Sequence, residues 1–271
     1  MLRWIELDGL ANLRDLGGLP TTSGEVVQPR RLLRSDNLQT LTAADVDALL
    51  TLGLTDVIDL RSSYESDAEG PGPLTREPRV SIHQHSFFRE WRDGVGEDKY
   101  EIGDAGERPE VMPEEALPWV DLEPSVELAN PISSIYLSYV LDRPDSVLSA
   151  LREISTARGA ALVHCAAGKD RTGTLVAMTL SLVGVEREAV IEDYAASTER
   201  VEAVVGRLLA SPTYAENLRD RPMASHASYP ETMRVFLEHV DERYGGVPGL
   251  VERIGWTRSD TDRLRRQLLA P

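Results

Sequence analysis

An α/β fold, with a central mostly parallel sheet flanked by helices and followed by a helical C-terminal part, is predicted for this 271-residue chain. Two features of its patterning carry that prediction. Short apolar runs alternate with segments of helical periodicity through residue 184, the order that parallel strands joined by crossover helices require. Beyond it, apolar residues recur only at helical spacing.

The elements follow in order. Thr42-Ala43-Ala44-Asp45 reads as a capped helix start, with Ala43, Val46, Leu49 and Leu50 at helical spacing and Gly53 as the stop. A strand over 56–60 comes next, then a turn through Gly70-Pro71-Gly72-Pro73 and a strand over 80–85. Pro144 opens a helix with Val147, Leu148, Leu151 and Ile154 on one face, ending before Gly159. Ala160-Ala161-Leu162-Val163 is a short apolar run that reads as a buried strand. The run 174–183 is apolar almost all round and stops at Gly184, a buried helix with a glycine C-terminal signal. Helices near 187–210, 231–244, 247–254 and 259–269 complete the chain, the last with a capping box from Ser259 to Asp262. One domain over 1–271 is expected.

Segment 87–130 breaks the pattern. It is rich in Gly, Pro and carboxylates, with Trp91, Tyr100 and Trp119 scattered through it. Two readings stand side by side: a lid over the site, with Trp91 or Tyr100 touching an aryl group, and a solvated insertion pinned by its aromatic residues.

Between the buried strand and the buried helix lies His164-Cys165-Ala166-Ala167-Gly168-Lys169-Asp170-Arg171-Thr172-Gly173, holding the chain's one cysteine with five residues between it and an arginine. In a strand, tight loop, helix order, the loop N–H groups and the first free N–H groups of the helix converge on one point. The result is a partly positive nest that suits a dianion. Gly168 lets the backbone turn without a Cβ clash. A cysteine at the edge of such a nest is expected to ionise readily. Arg171 supplies a planar fork for two phosphate oxygens, and Thr172 can offer its hydroxyl to the sulfur. The predicted chemistry is in-line attack by Cys165 on a phosphomonoester, a phosphocysteine intermediate, then attack by water. No metal or cofactor is called for, because the nest and Arg171 already balance the charge. His164 is expected to orient the loop by hydrogen bonding rather than to act as a base.

The string HCAAGKDRTG resembles the phosphate-binding loop of bacterial atypical protein tyrosine phosphatases, the actinobacterial protein tyrosine phosphatase B-like branch of the cysteine-dependent phosphatases. The likeness extends to Asn12-Leu13-Arg14-Asp15-Leu16-Gly17-Gly18, to Arg31-Leu32-Leu33-Arg34-Ser35 and to the run 52–62. It also takes in Ile191-Glu192-Asp193-Tyr194 and Tyr244-Gly245-Gly246. The resemblance implies a phosphatase-type phosphate-binding loop in which Ala166, Ala167, Gly168, Lys169 and Thr172 hold the substrate. It implies activity on phosphotyrosine, with phosphoserine, phosphothreonine and phosphoinositides as further candidates. Lys169 gives a physical reason to keep multiply phosphorylated substrates in view; the alternative is a lysine facing solvent or paired with a nearby carboxylate.

A proton donor to the leaving group is needed, and the candidates are Asp170, Glu90 and Asp93. Asp170 ranks first because its place in the loop is certain, against a structural role partnering the helix N-terminus or Arg61. Asp59 and Arg61, at the end of an apolar strand, are expected to support the loop from where open parallel sheets place their sites.

Composition bounds the rest. With 29 Lys+Arg against 45 Asp+Glu, the net charge of −16 repels nucleic acid and anionic lipid surfaces. The single cysteine permits no internal disulfide and suits a reducing compartment. No signal-peptide pattern opens the chain and no run is long enough to cross a bilayer, so the expected location is the cytoplasm, with export lacking a signal peptide left open. The expected partner is a phosphorylated protein, lipid or small molecule. A rhodanese-like sulfurtransferase and a non-catalytic phosphate-reading module are the alternatives, with Arg171-Thr172 speaking against the first.

Overall fold

The computed structural model describes residues 3–89, 117–118 and 124–270. The strands are β1 (Arg3–Trp4), β2 (Arg14–Asp15), β3 (Val26–Val27), β4 (Leu32–Ser35), β5 (Leu54–Asp59), β6 (Ser81–Gln84), β7 (Ala160–His164) and β8 (Leu269–Ala270). The helices are α1 (Ala43–Thr51), α2 (Ser63–Glu69), α3 (Pro131–Asp142), α4 (Pro144–Thr156), α5 (Asp170–Val183), α6 (Arg187–Ala196), α7 (Val201–Leu209), α8 (Pro212–Leu218), α9 (Pro230–Tyr244), α10 (Val247–Arg253) and α11 (Arg258–Leu268).

The sheet order is β1-β2-β4-β7-β5-β6, with β3 and β8 forming a separate pair. The four strands from β4 to β6 run parallel, and β1 and β2 add an antiparallel edge. Every residue of the central strand β7 is buried, as expected of a parallel strand covered on both faces. Alternation sorts the two cores: Ile58, Ala161 and Val163 face the larger one, with α3, α4, α5 and α9, while Val57 and Leu162 face the smaller one beneath α1. Being parallel neighbours, β4, β7 and β5 bring their C-terminal ends together at one end of the sheet. Among the described residues, no helix is long and apolar enough to cross a membrane.

Four elements differ from their expected form. The α11 cap is Thr257, whose hydroxyl accepts from Asp260 N while the Asp260 carboxylate accepts from Thr257 N. The Ser259 to Asp262 box is therefore displaced by one that starts two residues earlier. The stretch 187–210 is divided by a 3₁₀ turn, Ser197–Arg200, between α6 and α7. Its break coincides with the Ser197 hydroxyl being taken by the buried Arg14. Phe87 and Phe88, assigned to the insertion from sequence, are core residues. At the other end Asn130 caps α3, its side chain accepting from Ile132 N and Ser133 N. Most of the remaining insertion lies outside the described residues.

Candidate active site

The loop 165–169 leaves β7 and enters α5, and its shape is imposed from behind. Ala166 O accepts from Asn37 N at 2.9 Å, Ala167 O from Asn12 Nδ2 at 3.0 Å, and Gly168 O from Arg34 Nη2 at 2.9 Å. Because C=O and N–H lie on opposite sides of a trans peptide, pinning these carbonyls turns the N–H groups of Ala167, Gly168 and Lys169 away from Asn37, Asn12 and Arg34. Gly168 has φ +67°, and a Cβ there would stand 2.3 Å from Ser35 O. Gly168→Ala is therefore expected to destabilise the fold by roughly 2–4 kcal/mol and to weaken phosphate binding, as thermal unfolding and phosphate titration would register. A variant as stable and as tight-binding as wild type would contradict that geometry.

Cys165, Ala166, Ala167, Lys169, Asp170 and Arg171 line a cavity of about 440 Å³ together with Phe88, Ile132, Ile135, Tyr136 and Tyr139. Arg171 is buried. Its Nη1 and Nη2 donate to Glu65 Oε2 and Oε1 at 2.5 and 3.0 Å, its Nη1 also reaches Leu60 O at 3.2 Å, and its Cζ lies 4.6 Å from the Phe88 ring centroid. Burial opposes its charge, but the Glu65 carboxylate more than offsets this and raises its pKa well above the ordinary value. Glu65 is itself fixed as the third residue of α2, in a capping box with Ser62. Its Oε2 accepts from Ser62 N at 2.8 Å.

Asp59 and Arg61 form a buried fork, with Arg61 Nε 2.9 Å from Asp59 Oδ1 and Nη2 2.6 Å from Oδ2. Burial favours a protonated Asp59, yet the imidazolium that His164 becomes at acid pH, together with Arg61, holds its pKa below the ordinary carboxylate range. His164 Nε2 is 3.6 Å from Asp59 Oδ1 and its Nδ1 is 3.3 Å from Cys165 O. Burial pushes His164 down to about 4 despite Asp59, so the imidazole is neutral at pH 7.

Asp170, in the first turn of α5, is partnered by neither the helix end alone nor Arg61. Its Oδ1 accepts from Lys169 Nζ at 2.7 Å and from the Tyr136 hydroxyl at 2.6 Å. Burial would raise its pKa, but Lys169 foremost, then Tyr136 and Arg171, lower it, so the carboxylate is ionised at neutral pH. Thr172 Oγ1 is buried without a hydrogen-bond partner, so the hydrogen bond to sulfur expected from the sequence is not formed. Glu90, Asp93, Trp91, Tyr100 and Trp119 lie outside the described residues.

Behind the loop sits a network that sequence reasoning left without a role. Asp193 Oδ1 accepts from Arg14 Nε at 2.7 Å and Oδ2 from Arg34 Nη1 at 2.5 Å, while Arg14 Nη1 donates to Asn12 Oδ1 at 2.6 Å. Glu65, Tyr136 and Tyr194 were likewise missed. Only Glu65 had a local signal, the Ser62 to Glu65 capping box directly after β5.

A family model described as the tyrosine phosphatase family matches residues 5–270. The chain is 30% identical to the triple specificity protein phosphatase PtpB of Mycobacterium tuberculosis, across 97% of this chain and 98% of that protein. It is 27% identical to a tyrosine-protein phosphatase of Nostoc commune, across 92% of this chain and 78% of that protein.

Proposed function

The chain belongs to the tyrosine phosphatase family and is a protein-tyrosine-phosphatase, and from that premise we propose that Cys165 is its nucleophile and Arg171 its main phosphate ligand. The observation that carries this reading is the convergence on one cavity of Cys165 and the Glu65-held Arg171, beside a loop whose carbonyls are pinned from behind. The matched relatives are phosphatases, so the sulfurtransferase alternative is not carried forward.

The thiolate of Cys165 attacks phosphorus as the bond to the tyrosine oxygen breaks, leaving a phosphocysteine. The departing oxygen takes a proton from Asp170. Water then attacks the phosphocysteine, its proton passing to the Asp170 carboxylate as the S–P bond breaks and phosphate is released. The N–H groups and Arg171 spread the charge on the three equatorial oxygens, and being fixed in advance they need no reorganisation at the moment of reaction. Thr172, with its hydroxyl unpaired, donates to the sulfur as it leaves. Asp59, Arg61 and His164 support the loop.

Asp170 is ionised in the free site, so it serves as acid only after gaining a proton. Lys169 turns from Asp170 to the incoming phosphate, and the carboxyl then faces a dianion in place of an ammonium, which raises its affinity for a proton. The apolar wall of Phe88, Ile132, Ile135 and Tyr139 suits an aryl group. Phosphoserine, phosphothreonine and phosphoinositides are proposed as further substrates, supported by the triple specificity named for the mycobacterial relative and by Lys169 as a second cation. One catalytic domain and a cytoplasmic location belong to the same proposal, the first supported by the length of the family match, the second by the lone cysteine.

Rapid quenching during turnover of a phosphotyrosine peptide in EDTA tests the reading. The expected result is undiminished hydrolysis and a phosphorylated peptide containing Cys165. Turnover that stops with the chelator, or label on another residue, would remove it.

A further inference from the structure

We infer that Tyr136, in α3, is a positioning residue that aims the Asp170 carboxyl and sets its acid strength; the inference rests on the proposal that Asp170 is the proton donor. Among the described residues, both hydrogen bonds to that carboxylate fall on Oδ1, from Lys169 Nζ and the Tyr136 hydroxyl. Oδ2 is left to carry the transferring proton. Asp170 is about one-quarter exposed at its side chain and lines the same cavity as Cys165, so an Oδ2 proton has a path to the leaving oxygen.

The Tyr136 hydroxyl is held from every side. Its residue is fully buried, its ring stacks on Tyr139 at 6.1 Å, and Tyr194 and Phe236 meet it edge-on at 6.0 and 6.4 Å. Tyr194 Oη lies 2.8 Å from Tyr136 Oη. A carboxylate has no proton to give, so the single Tyr136 proton goes to Asp170 and Tyr194 donates to Tyr136. Burial, then Asp170, raises the Tyr136 pKa well above its ordinary value, so the phenol stays a donor throughout the working pH range. The support is also tied to α5 itself, since a Cβ on Gly173 would stand 2.9 Å from Tyr194 Cδ2.

Once Lys169 moves to phosphate, Tyr136 is the donor that remains on Oδ1. By stabilising the anion it makes the Oδ2 proton easier to give. The other groups facing Asp170 are Lys169 and Cys165 in the loop, Arg171 in its own helix, Tyr139 in α3, Tyr194 in α6 and His226 in the turn Met223–His226. Tyr136 alone among the tyrosines and His226 touches the carboxylate directly.

Tyr136→Phe keeps the ring packing and removes one donor. Losing a hydrogen bond to an anion raises its pKa, so the alkaline limb of the kcat profile, which reports the loaded site, is expected to move up by about one pH unit. At the optimum, a phosphoserine peptide is expected to slow about tenfold, and p-nitrophenyl phosphate less, because its leaving group needs little protonation. Tyr194→Phe, which reaches Asp170 only through Tyr136, is expected to move the limb by less. Vanadate affinity and thermal midpoint report whether each variant keeps its phosphate site. Asp170→Asn is expected to abolish the limb and to slow the alkyl substrate more than the aryl one. If Asp170→Asn behaves so but Tyr136→Phe keeps the wild-type limb, or Tyr194→Phe shifts it equally, the role of Tyr136 is overturned. A wild-type limb in Asp170→Asn overturns the acid assignment, and the inference with it.

Discussion

Cys165→Ser is expected to lower kcat for p-nitrophenyl phosphate by about 10⁴-fold or more while leaving inorganic phosphate bound. The two effects separate because the groups responsible are different atoms. Attack needs an ionised, polarisable sulfur, and a serine hydroxyl at the same place has no adjacent base to take its proton. The nearest imidazole, His164, is pushed down to about 4 by burial and faces Asp59 and a backbone carbonyl. In the proposed site, binding rests on the loop N–H groups and Arg171, which the substitution leaves in place: Arg171 is anchored by Glu65, and the carbonyls of Ala166, Ala167 and Gly168 by Asn37, Asn12 and Arg34. Steady-state turnover and calorimetric titration with phosphate measure the two quantities. Residual turnover above about 1% of wild type, after exclusion of contaminating phosphatase, would mean the sulfur is not the nucleophile. Loss of phosphate binding would mean that the sulfur, rather than the nest, organises the loop.

What could be read from the chain, and what could not, follows from the range of the interactions. The loop was legible because its requirements are local: the Gly168 turn, the apolar strand before it and the apolar helix after it lie within 25 residues. Helix α1 was legible down to its cap, Thr42 with Asp45, since a capping box spans four residues. Asp59 and Arg61 were placed at the loop from strand polarity alone, and they pair within two residues of each other. The partners of Arg171 and Asp170 were not legible. Glu65 is 106 positions from Arg171, and Tyr136 is 34 from Asp170. Both come from helices, α2 and α3, whose short or evenly apolar sequences carry little amphipathic signal, so neither helix was anticipated. Arg14, Arg34 and Asp193 stood inside recognised motifs, but only folding brings β2, β4 and α6 together behind Gly168. The shifted cap of α11 has a different cause. Thr257 and Ser259 both precede an aspartate by three residues, and tertiary context chose the first, whose Asp260 also receives Arg152 at 3.3 Å.

Asp193→Ala is expected to be among the most destabilising single substitutions in the protein, at about 3–5 kcal/mol, or roughly a 10 °C fall in Tm. Two guanidiniums with no solvent exposure, Arg14 and Arg34, share this one carboxylate. Burial, with the repulsion of Arg34, pushes Arg14 down to about 10 even with Asp193 present. Removing the carboxylate leaves two like charges buried with no counterion between them, and arginine cannot escape by losing its proton at neutral pH. The damage reaches the site because Arg34 Nη2 holds Gly168 O and Arg14 Nη1 holds the Asn12 side chain that binds Ala167 O. Phosphate affinity is therefore expected to fall along with stability. The pH dependence distinguishes charge from lost packing. Burial favours the protonated form of Asp193, but Arg14 and Arg34 outweigh it, so the folded pKa lies below the unfolded value of about 4. A depressed carboxylate contributes stability above its unfolded pKa and loses it as pH falls through the folded value. The gap in Tm between wild type and Asp193→Ala is expected to be constant from pH 7 to 5 and to narrow below pH 4, as thermal melts across that range would record. Asp193→Asn, which keeps the volume and one acceptor, is expected to lose less at pH 7 than the alanine variant. A gap that stays the same down to pH 3 would assign the loss to packing and take the electrostatic role away from Asp193.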